Sequence, residues 1–206
     1  MQISEILDTL SMEGYSAEIV EDWQPPESFI TEHPEWLEVP KPAGPTIRIK
    51  NPDDPIHCSR TAFMASNKNQ WDVEARTPDM FFRVGSTDKL DQAILWVQDV
   101  LAKYSEKDIE TIRIYLTNAK FSIDIYKDEC YLSMTARRFV TSAHDEVQKN
   151  TVWIRCLGRI YFVEVKKDTL RRVSVKCQSS EDVIGKLDQL LGPYLTDTRT
   201  IVTTSD

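Results

Sequence analysis

Residues 152–191, VWIRCLGRIYFVEVKKDTLRRVSVKCQSSEDVIGKLDQLL, decide the fold class because several strands follow one another there before a single helix. An antiparallel meander is predicted by three apolar runs separated by short polar turns, at residues 152–157, 159–166 and 170–177. Ser179 or Ser180 is suited to cap the helix that follows, and Gly192-Pro193 is suited to end it. Strands in a row followed by a helix are typical of α+β proteins.

Upstream of this stretch, alternation of apolar and polar residues predicts further strands of the same meander. Two runs alternate in this way, with apolar positions at Ile112, Ile114 and Leu116 and at Phe121, Ile123 and Ile125. Thr117–Lys120 would join them as a hairpin in which Arg113 faces Asp124. The polar stretch 137–150 is predicted to be a loop or a short helix.

The N-terminal half repeats the order of strands followed by a helix. Ile3, Ile6 and Leu10 keep helical spacing ahead of Gly14, and a later apolar stripe with Ser86 as its N-cap predicts a second helix. Short strands are predicted between these helices, at residues 17–23, 46–50, 56–64, 70–76 and 80–84. The predicted fold class is α+β, mainly an antiparallel β-meander covered by two helices. A duplicated sheet-plus-helix unit is one interpretation of the two halves.

Domain bounds are predicted at 1–105, an α+β half, and 106–206, the meander with its final helix; one compact domain is the alternative. The first half includes a proline-rich segment at about residues 24–56, where neither a helix nor a central strand can continue. Its apolar side chains either cover their own domain or anchor a partner protein. The candidate binding residues are Trp23, Phe29, Trp36 and Leu37.

The charge and the cysteines restrict the class of protein. The chain of 206 residues has 33 Asp and Glu against 25 Lys and Arg, a net charge of −8, which favours a protein partner with a basic surface over nucleic acid. The sequence contains no run near the roughly 18 apolar residues of a membrane helix, and its first residues do not predict a secretory signal. Without any C-x-x-C pair, the four cysteines are predicted to be buried free thiols of a cytoplasmic protein. No cofactor or metal is predicted.

One motif suggests catalysis. Val163-Glu164-Val165-Lys166 ends an apolar strand and places Glu164 and Lys166 on one face of the sheet. Metal-dependent nucleases of the PD-(D/E)xK type use this arrangement with an upstream aspartate, for which Asp124 is the candidate. Alternatively, Glu164 faces Arg172 across a hairpin, just as Asp124 faces Arg113, and such charge pairs need no active site.

The sequence favours a non-catalytic, acidic protein-binding module and leaves enzyme activity open. Toxin-immunity proteins, anti-defence inhibitors and secretion-type chaperones are small acidic proteins of this kind, by analogy alone. One alternative is the metal-dependent nuclease with Asp124, Glu164 and Lys166. A second alternative is a structural or assembly subunit whose strands extend the sheet of a neighbour.

Overall fold

The computed structural model describes residues 3–20, 30–31, 45–55, 60–67, 69–77, 80–127, 131–141, 146–167 and 171–195. The chain divides into two compact units. Unit 1 comprises Met1–Lys103 and Asp128–Tyr131, and unit 2 comprises Tyr104–Lys127 and Leu132–Asp206. Each unit has one five-stranded antiparallel sheet, so the predicted α+β class is confirmed. The domain bounds stay a prediction, because a compact unit need not fold alone.

Unit 1 begins with a helix, continues through five strands and ends with a second helix. Its elements are α1 (Ile3–Met12), β1 (Ser16–Val20), β2 (Thr46–Lys50), β3 (Thr61–Asn67), β4 (Gln70–Thr77), β5 (Met80–Thr87) and α2 (Leu90–Leu101). Each strand pairs with the next one along the chain, so the order of strands in the sheet is the order in the sequence.

The two helices of unit 1 cover one face of its sheet, which we call the core face. Helix α2 lies on β3, β4 and β5, and α1 contacts β1. Alternate residues of a strand point to the same face, and in β2, β3 and β4 most of the residues that point to this face are apolar and buried. The fully buried strand residues on this face are Ile47, Ile49, Ala62, Met64, Val73 and Ala75.

The buried guanidinium of Arg60 binds carbonyl groups at the C-terminal end of α2. The guanidinium of Arg60 donates hydrogen bonds to the carbonyl oxygens of Val100 at 3.1 Å, Leu101 at 2.8 Å and Ala102. The same group forms an ion pair with Asp54, with 2.9 Å between Nη2 and Oδ1. The last carbonyls of a helix lack partners within the helix, so one planar cation satisfies three of them at once.

Unit 2 has the same order of elements as unit 1. It consists of α3 (Glu106–Asn118), β6 (Ser122–Lys127), β7 (Tyr131–Thr141), β8 (Glu146–Leu157), β9 (Ile160–Lys167), β10 (Arg171–Cys177) and α4 (Ser180–Leu195). Neighbours in the sheet are again neighbours in the chain. Among the described residues, no helix combines the length and the apolar composition needed to span a bilayer.

The strand predicted through Ile112 and Leu116 is wrong, because this stretch is helix α3. Ser105 is its N-cap, and its Oγ accepts a hydrogen bond from the backbone N–H of Asp108 at 3.2 Å. Ile112 and Leu116 are fully buried, whereas Ile114 is 49% exposed. The spacing of Ile112 and Leu116 fits one face of a strand and one face of a helix alike, and the Ser105 cap favours the helix.

Three other parts of the chain also differ from the prediction. Ser86 does not cap α2: it lies in β5, where its Oγ donates to the carboxylate of Asp72, and Lys89 occupies the N-cap position. The stretch 137–150 is neither loop nor helix over its described residues, because β7 and β8 extend into it. Helix α4 runs past Gly192-Pro193 to its end, since a proline in the last turn removes only one backbone hydrogen bond.

The core of unit 2 lies between its sheet and its two helices. Its largest buried side chains come from the alternate positions of the strands and from the inner stripes of α3 and α4. The strand residues include Leu132, Met134, Val152, Ile154, Tyr161, Val163 and Val165. The helix residues are Ile109, Ile112, Leu116, Val183, Leu187 and Leu191. This packing leaves the opposite face of the sheet, the outer face, without cover from α3 or α4.

Candidate functional site

The outer face of the second sheet combines aromatic and basic side chains. Tyr126 on β6 is 63% exposed and Phe139 on β7 is 44% exposed, while Trp153 and Phe162 are half-buried on β8 and β9. Alternation with the core residues places all four on the same face. Basic residues stand among these aromatic residues, at Arg137, Arg155, Lys166 and Lys176.

An ion pair lies in the middle of this face. Arg155 on β8 contacts Glu164 on β9, with 3.4 Å between Nη1 and Oε2, and the two side chains are only 16% and 18% exposed. In the register of these strands, Trp153 is opposite Glu164 and Phe162 is opposite Arg155. The charged pair and the aromatic pair therefore alternate across β8 and β9.

The predicted charge partners of Glu164 and Asp124 are both wrong. Ser174, not Arg172, is opposite Glu164 in the β9–β10 register, because β9 extends one residue further than predicted and displaces the pairing by two positions. A shift of two keeps every residue on its face, so the assignment of the core is unaffected. Asp124 pairs with Arg137 on β7, with 2.6 Å between Oδ2 and Nη1, and Arg113 hydrogen-bonds Glu110 within α3.

The structure does not bring the three candidate nuclease residues together. Asp124 is on β6 and Glu164 is on β9, with β7 and β8 between them. Three strand spacings of about 4.8 Å separate the two strands by about 14 Å, which is far more than one cation can bridge. Lys166 lies two residues from Glu164 on the same face and pairs with Thr151 in the register. Among the described residues, no cluster of His, Cys, Asp and Glu could hold a metal ion.

The predicted binding residues Trp23, Phe29, Trp36 and Leu37 lie outside the described residues. Their role as cover or anchor therefore stays a prediction.

The outer face of the first sheet carries a related group of residues that the sequence analysis missed. The guanidinium of Arg76 lies over the rings of Phe63 and Phe81, 4.5 Å and 5.7 Å from their centres, and both rings are only 7% exposed. Beside them, burial raises the pKa of Glu74 to about 8. The signal for this group was present in the sequence, because Val73-Glu74-Ala75-Arg76 has the same pattern as Val163-Glu164-Val165-Lys166.

A second polar group lies on the core side of unit 2. Ser180 Oγ donates to Asp108 at 3.2 Å, and burial with the nearby Cys156 and Asp108 raises the pKa of Tyr161. Tyr161 is 2% exposed, so no substrate reaches it. The group connects the first turns of α3 and α4 to β9, which is a structural role.

The cysteines of unit 2 are buried free thiols. Cys156 and Cys177 are both register partners of Tyr161, on its two sides, so two strand spacings put their Cα atoms about 10 Å apart. A disulfide needs a shorter Cα separation. Burial and the nearby Asp182 raise the pKa of Cys177 to about 12, which removes its thiolate at neutral pH.

The fold and this face define a protein of the α+β class, built from two helix–meander–helix units. Comparison of the chain with protein-family models, curated proteins and solved structures finds no match.

Proposed function

We propose that the protein is a non-catalytic binding module that contacts a protein partner through the outer face of the second sheet. One observation carries the proposal: partly exposed aromatic side chains share the sheet face that α3 and α4 do not cover. Aromatic residues and arginine dominate the energetics of protein interfaces, where they bury a large area at a small cost in conformational entropy.

The chemistry of the described residues supports binding rather than catalysis. The acidic residues of the nuclease alternative each have an arginine partner on a neighbouring strand. Burial raises the pKa values of Tyr161 and of the Cys177 thiol, which keeps both groups protonated and weakly nucleophilic. The reduced state of these thiols supports a cytoplasmic location.

The charge of the chain supports the expected basic partner for unit 1. Residues 1–103 contain 18 Asp and Glu against 9 Lys and Arg, whereas residues 104–206 contain 15 against 16. A partner with a basic surface would therefore be attracted to the first half of the chain. Toxin-immunity proteins, anti-defence inhibitors and secretion-type chaperones are classes that would use this attraction.

A second candidate function, the assembly subunit, is favoured by strand β6. It is the last strand of its sheet, and five of its six residues are exposed. Ile125 is 41% exposed at this edge. An edge strand with exposed apolar residues can accept a strand from another molecule. Loss of a dimer or larger assembly in size-exclusion chromatography on the change Ile125→Lys would favour this candidate.

Affinity capture from native lysate tests the proposed function. We expect the tagged wild-type protein to retain one partner that the double variant Tyr126→Ser/Phe139→Ser loses. Leu95→Ser is the matched control, because it removes an equally exposed apolar side chain from α2 in unit 1. All three side chains are exposed, so thermal stability should change little.

Two outcomes would contradict the proposal. The first is a partner that the double variant retains as well as the wild type does. The second is cleavage of plasmid DNA with Mg²⁺ or Mn²⁺ that is lost on Glu164→Ala, since this result would support the nuclease alternative.

A further inference from the structure

Helices α1 and α2 of unit 1 contain acidic residues but no lysine or arginine. Their carboxylates belong to Glu5, Asp8, Asp91 and Asp99. The helices of unit 2 carry charges of both signs, because α3 contains Arg113 and α4 contains Lys186 beside their acidic residues. The lysines nearest to α2 in the chain, Lys89 and Lys103, lie outside its two ends. The face that α1 and α2 present is therefore acidic.

The C-terminal ends of α1 and α2 lie close together. The side-chain amide of Gln98, in the last turn of α2, donates a hydrogen bond to the carboxylate of Glu13, which follows α1, with 2.7 Å between Nε2 and Oε2. The C-terminal end of a helix carries a partial negative charge, and neither last turn contains a basic residue. Arg60, which caps α2, is buried and is neutralised by Asp54. Since an amide has no charge, the charge of Glu13 adds to that of the two helix ends.

Each of these helices also exposes one large apolar side chain. Met12 on α1 is 89% exposed and Leu95 on α2 is 51% exposed, and both lie opposite the buried stripe of their helix. Asp8 is exposed one turn before Met12, and residues four apart share a face of a helix. Asp91 is likewise exposed one turn before Leu95. Both helices therefore present a carboxylate beside an exposed apolar side chain.

The two faces form one surface, because Gln98, which contacts Glu13 at the end of α1, is one turn after Leu95. We call it the α1–α2 surface, and it consists of Asp8, Met12, Glu13, Asp91, Leu95 and Gln98. A ligand that fits this surface combines apolar contacts with positive charge. Nucleic acid and anionic lipid carry the wrong sign. A second copy fits poorly too, because two such surfaces would bring carboxylates against carboxylates.

We propose that the α1–α2 surface binds a basic amphipathic helix of a protein partner. The apolar stripe of this helix would lie against Met12 and Leu95. Its lysines and arginines would lie against the carboxylates of Asp8, Glu13 and Asp91. An amphipathic helix presents both kinds of side chain along one side, which suits a surface made of two helices. The inference goes beyond the proposed function, because it gives unit 1 a binding surface of its own.

Fluorescence anisotropy with labelled peptides of about fourteen residues, which as helices are about 21 Å long, tests the inference. The Lys–Leu peptide has lysine on one face of the helix and leucine on the other. The Glu–Leu peptide has glutamate in place of lysine, and the Lys–Ser peptide has serine in place of leucine. We expect the Lys–Leu peptide to bind at least tenfold more tightly than either, and its binding to weaken as salt rises from about 50 to about 300 mM.

A double variant locates the binding. Met12→Ser/Leu95→Ser should weaken binding of the Lys–Leu peptide at least tenfold, because it removes both apolar contacts. Ile114→Ser/Ile125→Ser is the matched control, because it removes two side chains of unit 2 that are 49% and 41% exposed. The control should change the affinity less than twofold. Equal melting temperatures of the two variants would show that both remain folded.

Three results would overturn the inference: equal affinity for the Lys–Leu and Glu–Leu peptides, equal affinity for the Lys–Leu and Lys–Ser peptides, or equal effects of the two double variants. A dimer that Met12→Ser/Leu95→Ser dissociates in size-exclusion chromatography would also overturn it, because a second copy would then cover the surface.

The proposed function fails separately. Tyr126→Ser/Phe139→Ser should bind the Lys–Leu peptide as tightly as the wild type does, and Leu95→Ser should retain the captured partner of the second sheet. If the peptide is lost on Met12→Ser/Leu95→Ser but no captured partner is lost on Tyr126→Ser/Phe139→Ser, the α1–α2 surface stands and the proposed function is wrong.

Discussion

Removal of the buried Arg60 side chain should destabilise unit 1 more than removal of any exposed charge. Its side chain is 1% exposed and that of Asp54 is 10% exposed. Arg60→Ala leaves the carboxylate of Asp54 in a buried position without its cation, and it leaves the carbonyls of Val100 and Leu101 without their donor. Breaking a buried ion pair from one side costs about 3–5 kcal/mol.

Urea denaturation measures this cost. With a slope of about 2 kcal/mol per molar urea, the midpoint of the transition that reports unit 1 should fall by about 2 M. Arg60→Lys keeps the charge but loses the planar group, so its midpoint should lie between those of the wild type and Arg60→Ala. Arg48→Ala is the matched control, because Arg48 pairs with Glu18 at an exposed site, where an ion pair contributes below about 1 kcal/mol. Equal losses for Arg60→Ala and Arg48→Ala would refute the reasoning.

Three further predictions follow from burial. Because burial raises the folded-state pKa of Glu74 to about 8 from 4.5, the folded protein binds a proton that the unfolded chain has lost, so stability should fall as pH rises from about 5 to 8. Glu74→Gln should flatten this profile in melting curves recorded across that pH range, and an unchanged profile would contradict the raised pKa. Ile112→Ala should cost about 2–5 kcal/mol in chemical denaturation and Ile114→Ala should cost little; equal costs would indicate a strand instead of α3. Site-resolved alkylation should leave Cys177 unlabelled until urea unfolds the chain, and rapid labelling of the native protein would contradict its raised pKa.

The sequence predicted most strands and the core of unit 2 because burial imposes a period of two on each strand. For α3 the pattern was ambiguous, since Ile112, Ile114 and Leu116 fit the period of a strand while Ile109, Ile112 and Leu116 fit the period of a helix. The decision depended on the side chain of Ser105, which caps the helix and was not used. A local capping signal can therefore outweigh several apolar residues whose spacing fits two structures.

The site was harder to predict than the fold. Glu164 is on a central strand with a neighbour on each side; its partner was predicted on β10, whereas its actual partner Arg155 is on β8. Trp153 and Phe162 were predicted as strand residues and Phe139 was placed in a loop or short helix, but the shared exposure of these aromatic residues depends on which face the helices cover. Tertiary packing determines which face of the sheet the helices cover, so the sequence of a single strand does not show which of its residues are exposed.

The long connection between β1 and β2 sets an order for the assembly of the first sheet. Two residues each join β3 to β4 and β4 to β5, and ten residues join β2 to β3, whereas residues 21–45 separate β1 from β2. Closing a loop of this length costs more chain entropy than closing a two-residue hairpin. Because β1 also carries the contact with α1, these two elements should dock together and last, after β2–β5 and α2 have condensed into a local nucleus.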